Sequence, residues 1–258
     1  MLKNKNRKTA TLLLIVLGIV ALHNQRLSVS DPENTYPKRI RRAIRLWLNP
    51  PANELERHLI GKGISCGKPA RLYRAVASAT VVVKSGGALG AGVFIGPRLI
   101  ATAAHVVEGG RPNVFLADMA DDSLAKPGKP VAVARVRRIR GLDLAFIVTR
   151  RAHASWLKLQ WDYENNKGLM VVGHPNGKYY SLQKARIKKK GLAAKSEFIV
   201  FKDNEIFFGN SGGAIVNCNG SLAGVVSMMS NFQNTLLKRG IGINSRTIAA
   251  HAGRLGIR

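Results

Sequence analysis

Gly209-Asn210-Ser211-Gly212-Gly213 sets one hydroxyl among glycines. Without side chains the backbone can turn tightly there, and its N–H groups can approach an oxygen that gains charge during nucleophilic attack. The pattern G-x-S-x-G alone fits several kinds of nucleophile turn and also turns that do no chemistry. A serine becomes a nucleophile when a base takes its proton and a third group orients that base. The order of bases and acids along the chain therefore decides what Ser211 can do. No Asp or Glu occurs beyond Glu205, so an arrangement in which the acid and then the His follow the Ser is excluded. Ahead of His105 the acids are Asp31, Glu33, Glu54 and Glu56, all in a stretch punctuated by Pro32, Pro37, Pro50 and Pro51, which argues against an acid-first order. What remains is His, then acid, then Ser.

His105 stands in ATAAHVVEGG, at the end of an apolar run and the start of a turn. Asp143, in GLDLAFIVT, reads as a single carboxylate inside an apolar strand, where an ionised acid is costly to bury without a partner. A ring N–H aimed at Asp143 would supply that partner and fix the imidazole tautomer. Other acids between His105 and Ser211 fit less well. Asp118, Asp121 and Asp122 fall in a polar loop, and Asp162 and Glu164 lie beside Trp161, Tyr163 and Asn165 in another. His23, His58, His153, His174 and His251 have no comparable setting and are read as structural.

These groups need a rigid frame. From about residue 67 onward, runs such as ATVVVK, GVFIG, NVFLAD, LDLAFIV, LMVVG, LAGVVSMM and GIGI recur between Gly, Asn, Pro and Asp clusters. Roughly eleven or twelve short strands at such spacing predict an all-β domain, a sandwich or paired barrels, over residues 67–258. Only Ser245 to Leu255 reads as a helix there, with Ser245 as the expected N-cap.

Upstream, Lys3, Lys5, Arg7 and Lys8 precede an uncharged apolar run of 14 residues, Thr9 to Leu22. That is the build of a secretory signal, and residues 1–22 are expected to act as a signal peptide or a signal anchor, placing the remainder outside the cytoplasm. Residues 23–66 read as a basic connector. Within it Ile40, Ile44, Trp47 and Leu48 share one face of a short amphipathic helix, opposite Lys38, Arg39, Arg41, Arg42 and Arg45.

The chain of 258 residues carries 41 Lys plus Arg against 14 Asp plus Glu, a net charge of +27. Residues 1–66 hold 12 of these cations and 4 of the acids, so most of the excess lies in the β domain. Arg135, Arg137, Arg138 and Arg140 form one cluster, and Lys184, Arg186, Lys188, Lys189 and Lys190 a second. Such charge attracts an anionic membrane surface or another polyanion, nucleic acid included, while no signature of sequence-specific nucleic-acid reading is present. Two cysteines, Cys66 and Cys218, exclude a disulfide-dense scaffold and a four-cysteine zinc site; they are either bonded to each other or free. No metal or organic cofactor is implied.

TAAHVVEG, LDLAFI and GNSGGAIVN, in this order and at these separations, resemble the His, Asp and Ser segments of the trypsin-like serine proteases, most closely the bacterial HtrA (Deg) type. The resemblance covers about residues 75 to 250. Gly173-His174-Pro175 is similar to the G-N-P turn of that group, and GVVSMMS to the G-I-V-S-W-G strand of trypsins. It implies two six-stranded antiparallel β-barrels with a C-terminal helix and an N-terminal helical extension, polypeptide substrates, and a Ser-His-Asp endopeptidase built from Ser211, His105 and Asp143. By the same resemblance, the N–H groups of Gly209 and Ser211 form the oxyanion hole and Ser227 supports the buried Asp. Glu205, Ser227, Met228, Met229 and Gly240 fall in the substrate-binding region. Glu205 at the base of the pocket favours Lys or Arg before the scissile bond, whereas Phe207 and Phe208 filling it, or Met229 narrowing it, favours small aliphatic residues. The sequence runs to Arg258 without the PDZ segment of the HtrA pattern, so activation through such a domain is not expected. The alternative is a catalytically silent module of protease ancestry that binds anionic envelope components or nucleic acid.

Overall fold

The computed structural model describes residues 51–64, 66–119, 123–160, 169–187, 197–201, 208–230 and 239–255. The apolar run Thr9–Leu22 and the amphipathic stretch around Ile40 to Leu48 lie outside the described residues. Among the described residues no helix is long and apolar enough to cross a membrane. A compact unit runs from Ala52 to Arg258.

That unit opens with two helices where the sequence pattern predicts connector and strand. α1 (Glu54–Gly61) is capped by Asn53, whose Oδ1 accepts the Glu56 N–H at 2.9 Å, and it buries Leu55 and Leu59. α2 (Pro69–Ala79) starts on a proline, whose missing N–H costs nothing in a first turn, and buries Leu72, Tyr73, Val76 and Ala77 on one side. The strand pattern thus begins at Thr80, not near residue 67. The signals for α2, a proline at its start and apolar residues at helical spacing, were present in the sequence and were overshadowed by the β-rich run that follows.

Among the described residues, thirteen strands then form two antiparallel sheets. The first has the order β5 (Lys126–Val131), β4 (Asn113–Asp118), β1 (Thr80–Ser85), β2 (Ala88–Gly96), β3 (Leu99–Thr102), β7 (Ala145–Thr149), β6 (Val133–Arg138). Its two edges, β5 and β6, are consecutive in the chain and separated by Ala132 alone. A sheet whose opposite edges are joined by one residue must curl onto itself, so β5 and β6 act as one bent strand and the seven strands close a barrel of six. The second sheet has the order β10 (Phe198–Val200), β13 (Arg239–Asn244), β12 (Leu222–Ser230), β11 (Ala214–Val216), β8 (Leu169–Gly173), β9 (Ser181–Ala185). Its edges meet through the Ile187–Phe201 bridge, just beyond β9 and β10. This architecture is the expected all-β pair of barrels.

Alternate side chains explain the unbroken apolar runs. Val81 and Val83 of β1 pack with Phe94, Ile100 and Ile147 inside the first barrel, while Val82 faces the larger core shared with the second. Likewise Leu169 and Val171 of β8 join Ile199, Phe201 and Ile215, whereas Met170 and Val172 face the shared core. Strands covered on both faces need no polar alternation. α3 (Ser245–Gly253) follows β13, and its cap is Asn244, whose Oδ1 accepts the Thr247 N–H at 2.8 Å. The expected cap, Ser245, is the first helical residue instead; its hydroxyl donates to the Gln160 carbonyl. Cys66, between α1 and α2, and Cys218, in the β11–β12 turn, form a disulfide across a separation of 152 residues. It ties the helical opening to the second barrel and contributes about 2–5 kcal/mol.

Candidate active site

His105 sits in a single 3-10 turn, Ala104–Val107, that follows β3. Ala104, Val106 and Val107 are buried in the first barrel, which leaves the imidazole as the part of the turn that meets solvent. Asp143 lies in the bend just before β7 and not inside a strand, with its side chain 11% exposed. The bend frees its carboxylate to point along the sheet toward the His turn. Its Oδ1 accepts the His105 backbone N–H at 3.0 Å, and the His105 Nδ1 lies 3.0 and 2.9 Å from Oδ1 and Oδ2. A carboxylate only accepts, so Nδ1 carries the proton and Nε2 keeps its lone pair for a substrate proton. The Ser227 hydroxyl donates to Oδ2 at 2.6 Å and completes the shell around the acid.

This geometry sets both titrations. The hydrogen bond to Asp143 lifts His105 above its ordinary value of 6.5 and outweighs the burial that lowers it. Burial alone would push Asp143 up, but the donors from the His105 ring, Ser227 and the His105 backbone, with the imidazole charge, bring it below the usual carboxylate value. The acid therefore stays ionised beside the ring.

Ser211 arrives from the second barrel. Its carbonyl accepts the Ala91 N–H of β2 at 2.7 Å, and the next residue, Gly212, donates to Val226 of β12 at 2.7 Å. Gly212 has φ +78°, and a Cβ there would sit 2.0 Å from the Ala91 carbonyl oxygen, so only glycine fits. Gly209, at φ +91°, is pressed against the His174 carbonyl in the same way. Gly90 of β2 touches both halves of the site: a Cβ there would meet Val106, the neighbour of His105, at 2.6 Å and the Ser211 carbonyl at 2.9 Å. Among the described residues, the N–H groups of Gly209 and Ser211 and the Ser211 hydroxyl have no hydrogen-bond partner. Gly90 thus joins the segment that carries Ser211 to the segment that carries His105. No hydrogen bond links the two side chains, and in such sites that bond often forms only when substrate binds.

The family described as the trypsin-like peptidase domain matches residues 90–225, a span that holds His105, Asp143 and Ser211. The chain belongs to the trypsin-like peptidase family. Among curated proteins none matches the chain. Among solved structures, it is similar to the Rv3671c protease of M. tuberculosis in its inactive form, at 20% identity over 73% of this chain and 94% of that one, with a TM-score of 0.56. The active form of the same protease aligns at 19% identity, 72% and 85% coverage and a TM-score of 0.57. The serine endoprotease from Yersinia pestis aligns at 20% identity, 72% and 66% coverage and a TM-score of 0.58. These likenesses carry the two-barrel fold, and family membership makes the chain a serine endopeptidase.

In this trypsin-like peptidase the remaining expected site residues are placed unevenly. Ser227 is 1% exposed and bonded to Asp143, which directs its hydroxyl to the acid instead of to substrate. Met228 and Met229 continue β12 beyond a bulge that follows Val226, and Met229 pairs with Gly240 of β13. Glu205 and Phe207 lie outside the described residues, and Phe208 is 78% exposed.

Sequence reasoning passed over His174, read as structural without a part in the site. It is fully buried; its Nδ1 accepts the Tyr180 N–H at 2.9 Å, so Nε2 carries the proton and donates to the Val81 carbonyl at 3.2 Å. Burial drops its pKa to about 4 despite the Val81 and Gly173 backbone contacts, which raise it. Its own N–H donates to the Gly209 carbonyl, and Asn176 N–H to the Phe208 carbonyl. The turn that begins at Pro175 therefore clamps the segment leading into Ser211. Thr102 was also missed: its hydroxyl donates to the Ala91 carbonyl at 2.6 Å beside Gly212. His174 does stand in the Gly173-His174-Pro175 turn picked out by resemblance, but its role, like that of Thr102, is legible only from the far segment it meets.

Proposed function

We propose that this serine endopeptidase hydrolyses peptide bonds through Ser211, His105 and Asp143 by way of an acyl-enzyme. His105 Nε2 takes the Ser211 proton as the hydroxyl attacks the carbonyl carbon, then returns it to the leaving amine; water repeats the cycle to free the acyl group. The Gly209 and Ser211 N–H groups hold the oxyanion, on the order of 3 kcal/mol for each donor. The observation that carries this reading is the Asp143 carboxylate bonded to both the ring and the backbone of His105, which fixes the tautomer a base requires. A fluorophosphonate probe is expected to label the folded chain at Ser211. Labelling that persists in Ser211→Ala overturns it.

For the residue before the scissile bond we propose a small aliphatic side chain, because the Met229–Gly240 pair lies where the resemblance puts the pocket mouth. Reporter peptides with Ala or Val there are expected to be cleaved faster than one with Arg; the reverse order assigns the pocket base to Glu205.

We also propose that the enzyme works outside the cytoplasm. The basic start and apolar run are consistent with export, and the Cys66–Cys218 disulfide suits an oxidising compartment. Arg135, Arg137, Arg138 and Arg140 are all exposed and favour adhesion to an anionic surface there. Fractionation should recover the chain with the envelope, and salt should release it.

A further inference from the structure

One residue along β2 from Gly90, which abuts the Ser211 carbonyl, begins the wall of a cavity of about 450 Å³ that none of the chemistry above uses. Its walls include Lys84, Ser85 and Leu89 from the β1–β2 hairpin, Arg111 and Asn113 from the segment after the His105 turn, and Tyr179. Each wall continues an element that holds a reacting group. Leu89 precedes Gly90, the residue that abuts the Ser211 carbonyl; Arg111 follows the turn that carries His105; Tyr179 follows the turn that clamps Gly209.

The walls are also fixed. Ser85 Oγ donates to the Gly110 carbonyl at 3.0 Å, and Gly86, at φ +54°, packs so closely on Gly109 that a Cβ would fall 2.5 Å from its Cα. The hairpin tip and the post-His segment thus form one rigid rim. Among the described residues, two cations line the cavity and no acid does. Lys84 Nζ lies over the rings of Phe115 and Tyr179, 5.7 and 5.9 Å from their centroids, which holds the ammonium without neutralising it. Arg111 spends Nη2 on the Val133 carbonyl at 2.8 Å, one donor of a five-donor fork.

We propose that this cavity is a carboxylate-binding subsite for the leaving-group side of the substrate, read by Lys84 and Arg111. The acyl-side pocket proposed above is assigned to β12 and β13. The cavity is walled by Leu89 of β2, next to the Gly90 that abuts the Ser211 carbonyl, so it falls to the chain beyond the scissile bond. An Asp or Glu side chain within the first few residues after the bond places a carboxylate between an ammonium and a guanidinium, a charge-assisted contact. The inference rests on Ser211 as nucleophile, and its test separates the two.

Quenched peptides identical on the acyl side and carrying Glu, Ala or Lys at each of the first three positions after the bond are compared with the full chain. At one position Glu is expected to exceed Ala in kcat/KM by about tenfold, and Lys to fall below it. The ratio of Glu to Ala rates is the readout, so a general loss of activity cancels. It should approach one in Lys84→Gln and in Arg111→Gln, survive in Arg111→Lys, and shrink as salt rises. Peptides with amidated and free C-termini separate a side-chain carboxylate from a chain end: a preference that needs the free end replaces the side chain with the terminus as the occupant. A flat ratio in an enzyme that fluorophosphonate labels overturns the subsite, as does a preference that outlasts Lys84→Gln with Arg111→Gln, or one confined to the acyl side. If labelling and turnover are both absent, the catalytic reading falls. The cavity is then judged by anisotropy of the same labelled peptides on Ser211→Ala, where equal binding of Glu and Ala forms refutes it.

Discussion

His105 and His174 are the same side chain in opposite surroundings. His105 ends the first barrel's β3 with its ring 41% exposed and a carboxylate on Nδ1; its affinity for a proton is raised. His174 ends the second barrel's β8 with its ring buried between a backbone N–H and a backbone carbonyl; its pKa falls to about 4. A charged partner therefore decides the first titration and burial the second. In the proposed mechanism the first ring moves protons, while the second anchors the turn bonded to the segment that enters Ser211.

The largest way to break this contrast is to remove the carboxylate. Asp143→Asn leaves the hydrogen bond geometry nearly intact but frees Nδ1 to act as acceptor, so the wrong nitrogen faces Ser211; kcat is expected to fall by about 10⁴-fold, measured on a reporter peptide. A drop of only a few-fold would mean that another group orients the ring.

The second concerns stability. Because His174 has a folded pKa of about 4 and an ordinary value of 6.5, its contribution to stability is full above pH 6.5 and is lost as pH falls toward 4, where the folded ring also protonates. The loss amounts to about 3 kcal/mol across that window. Urea unfolding at several pH values should show that slope in the wild type and a smaller one in His174→Gln, whatever the offset between the two proteins. An unchanged slope would assign the acid sensitivity elsewhere.

For His105 the sign runs through activity. The base must be neutral, so kcat/KM is expected to decline as pH falls through a value above 6.5, the direction in which Asp143 moves the ring. An acid limb centred below 6.5 would contradict the hydrogen bond as its cause. The smallest effect is expected from Ser227→Ala, which removes one donor from Asp143 while the His105 contacts remain. A loss on the order of tenfold in kcat/KM, with KM little changed, would mark Ser227 as a positioning residue.

Much of the site was legible along the chain because its chemistry is local: a serine among glycines, an isolated acid, and a charge order that left one arrangement standing. The fold was legible where strands are buried on both faces, as in ATVVVK and LMVVG, since such runs have few other uses. The opening helices were not, because α2 merges directly into β1 and its apolar face continues the apolar strand without a break. Asp143 was placed one element too far along, in a strand and not in the bend before it, because its neighbours Leu142 and Leu144 carry the same apolar signal in either setting.

By itself the sequence determined the types and order of the candidate reacting groups, the excess of positive charge and the recurrent short apolar runs of an all-β domain. These depend on single residues and short periods. Only the tertiary structure decided that His174 is buried between two backbone groups, why Gly209 and Gly212 admit no side chain, which segments Cys66 and Cys218 join, and that Lys84 and Arg111 face one cavity. Each of those facts is a contact between segments far apart in the chain, and neither partner's local pattern specifies the distance that closing the barrels imposes.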